Sequence, residues 1–194
     1  GLAQKGGAVL SHIKIAKKPE NIYSTQIASN TTNLLLGCDI VVSSSKEVRT
    51  LLDRKKTIAL INNHETPLSQ FVLNPDFSYS TSLTANLIKN DTVELEQINA
   101  TEISKCLFGD TILSNIFLVG YALQKGTLPL KASSIQEAIA INGVSVEENI
   151  SALNWGRLAA EDLDFVLKKS NIINYSTSKK IPFYKIIDNR YEDL

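Results

Sequence analysis

Two apolar runs in this sequence stop on side chains that can do chemistry. CDIVV ends in Ser43, Ser44 and Ser45, and TIALI ends in Asn62, Asn63, His64, Glu65 and Thr66. As neighbouring parallel strands, these ends bring hydroxyls, carboxamides, one imidazole and one carboxylate to a single rim, and open parallel sheets bind ligands beyond the carboxyl ends of their strands. Ser44 is a candidate contact on that rim, set against the ordinary use of serine as a helix cap or turn former. His64 and Glu65 are either a hydrogen-bonded structural pair or an acid and a base placed for proton transfer. A further candidate is the loop of residues 1–7. There Gln4, Lys5, Gly6 and Gly7 offer an amide, an ammonium and backbone N–H groups on a chain free to take positive φ, which is a cradle for a phosphate. These are the candidate binding residues. Spacing alone assigns no catalytic residue.

Several other chemistries are excluded. HETPL lacks the second histidine of a zinc helix, and Pro67 forbids the helical turn, so no metal site is expected. His12 and His64 are the only histidines, too few to assemble a Ser/His/Asp or Cys/His arrangement; His12 reads as a solvated residue on a polar strand face. Cys38 and Cys106 are the only cysteines and read as buried free thiols in a reducing, cytoplasmic setting. An iron–sulfur cluster usually needs four thiolates, so this chain alone is not expected to hold one. Neither a Walker A loop nor a Gly-x-Gly-x-x-Gly turn is present. With 20 basic and 20 acidic side chains, no electrostatic footprint for nucleic acid stands out. The apolar runs fall far short of the roughly 20 residues of a membrane span. At 194 residues the chain is long enough for one large domain with its own core.

The rim must be positioned by secondary structure. Over residues 8–16, Val9, Ser11, Ile13 and Ile15 alternate with Leu10, His12 and Lys14, which predicts a strand ended by Lys17, Lys18 and Pro19. A helical turn over residues 31–37 then leads into CDIVVSS, read as a strand buried on both faces. Ser44 with Glu47 has capping-box spacing and predicts a helix over residues 46–54, followed by the strand TIALIN. Strand, helix, strand with buried strands argues for a parallel sheet. Beyond it, residues 80–90 read as a helix, residues 92–99 as a strand and residues 100–109 as a helix. The remainder is helical. Asp110 is the expected cap of a helix stopping at Gly126, with Leu113, Ile116, Phe117, Gly120 and Leu123 on one face against a sheet. Ser134 with Glu137 caps a helix stopping at Gly143, and Ser145 with Glu148 caps a long one reaching Lys169. The final residues, rich in Asn, Ser and Lys with scattered aromatics, read as a wrapping tail that needs a partner surface. The expected fold is α/β: an open, mostly parallel, Rossmann-like sheet flanked by helices, with a helical C-terminal part.

In this order, GLAQKGGAVLSHIKIA, LLLGCDIVVSSS, INNHETP, LFGDTILSNIFLVGYALQKG and INGVSVEENISALNWGRLAAED resemble the γ-type (pyruvate/ketoisovalerate oxidoreductase) domain of 2-oxoacid:ferredoxin oxidoreductases, above all the large fused indolepyruvate enzymes of bacteria. The resemblance covers residues 1–162. It implies a γ-type domain over residues 1–170 that lacks its first strand, loop, helix and strand, followed by a C-terminal extension over residues 171–194. The chain would then be a carboxyl-terminal fragment, inactive by itself, with a sheet edge left uncovered; the absence of any Met agrees with a processed or partial chain. The whole enzyme is expected to decarboxylate a 2-oxoacid on thiamine diphosphate and Mg, pass electrons through 4Fe–4S clusters to ferredoxin, and release an acyl-coenzyme A. GDTILSN contains Gly109, Asp110 and Asn115, but the asparagine follows too soon for a thiamine-diphosphate motif, so that cofactor is expected on other domains. What the resemblance implies for this domain is that it walls the active site and helps hold coenzyme A, with Lys5 and the Gly6 and Gly7 backbone near phosphate. Its expected partners are the thiamine-diphosphate and ferredoxin-like domains and ferredoxin itself. Gln124, Lys125, Asn149 and Arg157 also lie in matched segments; Asn149 reads as a backbone partner and Trp155 as packing. Pyruvate, branched-chain 2-oxoacids and 2-oxoglutarate are alternative substrates, and a docking scaffold is the alternative role.

Overall fold

The computed structural model describes residues 8–64 and 81–172. Its centre is a parallel sheet of β1 (Leu34–Gly37), β2 (Ile58–Asn62) and β3 (Glu94–Ile98), hydrogen-bonded in that order. β2 is central, and all of it but its last residue is apolar. Ala59 and Ile61 point to one face and Leu60 to the other, and all three are buried. A run without alternation is therefore what a strand covered on both sides requires.

Helices α1 (Ile40–Ser43), α2 (Lys46–Leu51) and α3 (Thr81–Lys89) make the crossovers. Ile40, Ala85 and Ile88 close over Ala59 and Ile61 on the first face. The second face carries the larger core. There α4 (Ala100–Phe108), α5 (Ser114–Gln124), α7 (Val146–Glu161) and α8 (Leu163–Lys169) gather Ile103, Phe117, Leu118, Trp155 and Val166 against Leu60 and Ile98; α6 (Ala132–Asn142) packs outside, on α7. Helices α5 and α7 touch backbone to backbone. A Cβ added at Gly120 would overlap the Leu153 carbonyl, and one at Gly156 would overlap the Phe117 carbonyl. Asp91, just beyond α3, is clamped by Arg49 Nε at 2.7 Å and Arg54 Nη2 at 2.9 Å, which ties α2 to the end of α3.

The α/β architecture agrees with the expectation, and so do β2, β3, α3 and α4 within a residue or two. Other elements differ. Residues 8–16 form no strand among the described residues. A strand needs a neighbour to complete its ladder, and alternation supplies only the faces. The segment instead closes on itself: the Ile27 N–H donates to His12 Nδ1 at 2.9 Å and Lys14 Nζ to Ser24 Oγ at 2.7 Å, leaving Val9, Ile13 and Ile15 exposed. His12 is thus a half-buried hydrogen-bonding partner and not a solvated one.

The first strand is LLLG, predicted as a helical turn, and most of CDIVV is helix. Asp39 Oδ1 accepts the N–H groups of Val41 at 2.7 Å and Val42 at 3.0 Å, starting α1 where the strand was expected to run on. A short apolar run carries no period of its own, so the cap decides. The cap of α2 is Ser45, whose Oγ accepts the Val48 N–H at 3.3 Å, and the helix ends at Leu51. Ser44 belongs to the end of α1, donating Oγ–H to the Val41 carbonyl at 2.9 Å. Asp110 holds the Ile112 N–H at 3.0 Å in a turn before α5 begins. α6 starts at Ala132, so Ser134 lies within its first turn. Ser145 precedes α7 with φ 43° and no side-chain cap bond; Asn149 Nδ2 donates instead to the Val144 and Ser145 carbonyls at 3.1 and 3.0 Å, the backbone role expected of it. The long final helix breaks at Asp162, which caps α8 by accepting the Phe165 N–H at 2.9 Å.

Candidate functional site

At the carboxyl ends of β2 and β3 the structure opens a cleft of about 520 Å³. Its polar rim is built by three local devices. First, the Asn63 N–H donates to the Ile98 carbonyl at 3.1 Å, carrying the β2–β3 ladder one residue past the strand, so that Asn63 and His64 leave the sheet beside the tip of β3. Second, Asn99 Oδ1 caps α4 by accepting the Glu102 N–H at 2.9 Å, which sets Gln97, Asn99 and Glu102 around the same opening. The third device is Asn62, the last residue of β2 and only 5% exposed. Its Nδ2 donates to the Cys38 carbonyl at 3.2 Å and to Thr101 Oγ1 at 2.7 Å, while its Oδ1 accepts the N–H groups of Thr101 and His64, each at 3.4 Å. The apolar wall comes from Ile98 and Ile103 below and from Leu163, Leu167 and Ile172 across the gap.

This arrangement pairs carboxamides, one imidazole and one carboxylate with branched aliphatic side chains. No lysine or arginine lines it among the described residues. The cleft therefore suits an uncharged ligand portion with amide or hydroxyl groups and an apolar body, and offers no countercharge to a phosphate.

Of the candidate residues, His64 lines the cleft and Ser44 does not. Gln4, Lys5, Gly6, Gly7 and Glu65 lie outside the described residues. Asn62 was visible at the strand end but not singled out; a carboxamide closing an apolar run, where asparagine is disfavoured, was the available signal. Cys38 is exposed at the tip of β1, contrary to the burial expected of it, and Cys106 is half-buried. Partial desolvation of the Cys38 sulfur, and then the Asp39 charge, raise its pKa above the ordinary thiol value, which favours the thiol over the thiolate.

Other matched residues serve the core. Arg157 Nε donates to Gln124 Oε1 at 3.0 Å and Gln124 Nε2 donates to Glu161 Oε1 at 2.8 Å, joining α5 to α7. Tyr121 donates to Glu96 Oε2 at 2.6 Å, and Lys125 Nζ pairs with Glu96 Oε1 at 3.0 Å. Burial and then the Glu96 carboxylate push the Tyr121 hydroxyl well above the ordinary phenol range, so it remains a donor. Among the described residues, no three His, Cys, Asp or Glu side chains converge to hold a metal, and no helix is long and apolar enough to cross a membrane.

Searches among curated proteins and among solved structures return no match. A family model described as pyruvate ferredoxin/flavodoxin oxidoreductase matches residues 1–159. That span takes in the sheet, both strand tips, α4 and most of α7, and so every part of the cleft except the wall from α8 and Ile172. On this match the chain belongs to the pyruvate ferredoxin/flavodoxin oxidoreductase family and carries a 2-oxoacid:ferredoxin oxidoreductase family domain over residues 1–159.

Proposed function

We propose that this chain supplies the γ-type domain, residues 1–170, of an enzyme that oxidatively decarboxylates an aryl 2-oxoacid of the indolepyruvate kind to an acyl-coenzyme A, with ferredoxin as electron acceptor. Its own part is to wall the active site and help hold coenzyme A. The observation that carries this reading is the cleft at the tips of β2 and β3, lined by Asn63, His64, Gln97 and Asn99 over an aliphatic wall. Carboxamides pair with the amides of a pantetheine chain, donor to acceptor, and the aliphatic wall excludes water along its apolar stretch. The diphosphate needs a cation that the described lining lacks; that role falls to Lys5 with the Gly6 and Gly7 backbone.

Thiamine diphosphate with its Mg and the 4Fe–4S clusters supply the decarboxylation and electron-transfer chemistry in the whole enzyme. The described residues fit neither metal group, since no metal-binding set converges among them. These groups belong to partner domains, and residues 171–194 form a C-terminal extension of the γ-type domain.

Calorimetric titration of the chain with coenzyme A and with pantetheine tests the reading. Heat with both ligands supports it, and no heat up to millimolar ligand leaves a docking scaffold as the role. In the complete enzyme, Lys5→Ala removes a charge-assisted bond worth about 1.5–3 kcal/mol and should raise the coenzyme A KM at least tenfold. Unchanged KM and kcat would remove Lys5 from the site. A second reading takes pyruvate as substrate, because the matched family is described by pyruvate; a panel of 2-oxoacids on the complete enzyme separates the two.

A further inference from the structure

We propose that Asn62 is the positioning residue of this cleft: one buried carboxamide sets where His64 and the first turn of α4 stand relative to each other. The proposal rests on the reading of the cleft as a ligand site, but its geometry is independent of which ligand enters.

A carboxamide has two N–H donors and an oxygen that accepts two hydrogen bonds. Asn62 uses all of them. Its donors go to the Cys38 carbonyl at the exit of β1 and to Thr101 Oγ1 on α4; its oxygen takes the N–H groups of Thr101 and of His64. Three chain segments that are far apart in sequence therefore meet on one side chain. The 2.7 Å bond to Thr101 Oγ1 is the shortest of the four, and the Cys38 carbonyl, which only accepts, with the two backbone N–H groups, which only donate, fixes which way the amide faces. Both residues held through Oδ1 adjoin the cleft. His64 lines it directly, and Thr101 is followed by Glu102, which lines it from the other side. In register, Asn62 lies opposite Ile98, which lines the cleft while Asn62 itself does not.

No other side chain offers this set. Aspartate keeps the acceptors but loses both donors and buries a charge against the Cys38 carbonyl. Glutamine carries the same groups one methylene too far, and leucine supplies none. The neighbouring Asn63 shows that the amide alone is not enough, since its buried Oδ1 meets no donor among the described residues.

The test compares the 194-residue chain with Asn62→Leu and Thr101→Val by amide hydrogen exchange and by NMR of the imidazoles. In Asn62→Leu, which removes the acceptor of both N–H groups, exchange at His64 and Thr101 should accelerate roughly tenfold, and the His64 imidazole resonances should move while those of His12 stay fixed. Thr101→Val removes only the shortest bond and should give the same changes at smaller size; it decides the matter if Asn62→Leu does not fold. A folded variant with a lowered Tm but unmoved His64 exchange and resonances would reduce Asn62 to a staple between strands and overturn the proposal. Coenzyme A titration of the unaltered chain is scored separately, so a ligand that does not bind counts against the functional reading and leaves the positioning result standing.

Discussion

The α5–α7 crossing and the rim at the strand tips are built from opposite materials. The crossing is made of carbon: Phe117 and Trp155 are wholly buried there, and Gly120 and Gly156 let the two backbones meet. The rim is made of directed hydrogen bonds, with Asp39 starting α1, Asn99 starting α4 and Asn62 joining three segments. Close packing tolerates no change of volume, whereas a polar rim can lose one bond and keep its chain path. The crossing is where the domain stores its stability, and the rim is where its chemistry can vary.

Substitutions in the crossing should cost most. Trp155→Ala leaves a cavity in the larger core and should lower the unfolding free energy by about 3–5 kcal/mol in urea denaturation. Gly120→Ala forces a methyl group into the Leu153 carbonyl and should cost about 1–3 kcal/mol as the helices part. A loss below about 0.5 kcal/mol for either would show that the crossing is not the stability centre.

An intermediate effect is expected at the Asp91 clamp, and it is pH-dependent. Burial alone would raise the Asp91 pKa, but hydrogen bonds and charge from Arg54 and Arg49 outweigh it and hold the carboxyl below the ordinary range. Its folded pKa is therefore depressed. The clamp contributes fully above the unfolded value, near 4, and its contribution is lost as pH falls through the folded value. Asp91→Asn should lower stability at pH 7 by about 1 kcal/mol and flatten the acid limb of a Tm-versus-pH curve. An unchanged limb would assign the acid sensitivity to other carboxylates.

The smallest effects separate two adjacent serines. Ser45→Ala removes the α2 cap and should cost about 1 kcal/mol. Ser44→Ala removes one bond at the end of α1 and should stay within about 0.5 kcal/mol, with coenzyme A binding unchanged because Ser44 does not line the cleft. A reversed order would return the cap to Ser44.

The sequence revealed the parts whose pattern admits one solution. β2 was legible because its apolar run suits a strand covered on both faces, and the position of His64 because an imidazole just after such a strand lies at the carboxyl edge of the sheet. CDIVV misled because apolar content does not distinguish strand from helix and Asp39 settles it by capping. Residues 8–16 misled because alternation describes faces and says nothing of a neighbouring strand. Asn62 stayed hidden for another reason: its partners, Cys38 and Thr101, are 24 and 39 positions away, and no local pattern joins them.

The break at Asp162 has its own consequence. Trp155 anchors α7 on one side of this joint, and Leu163 and Leu167 of α8 face the cleft on the other. One residue inserted there would swing that side of the cleft by about 100° without disturbing how α7 grips α5. The chain thus carries an adjustable jamb beside a fixed frame, so that the width of the cleft is set by the length of one joint and the stability by a crossing that the joint does not touch.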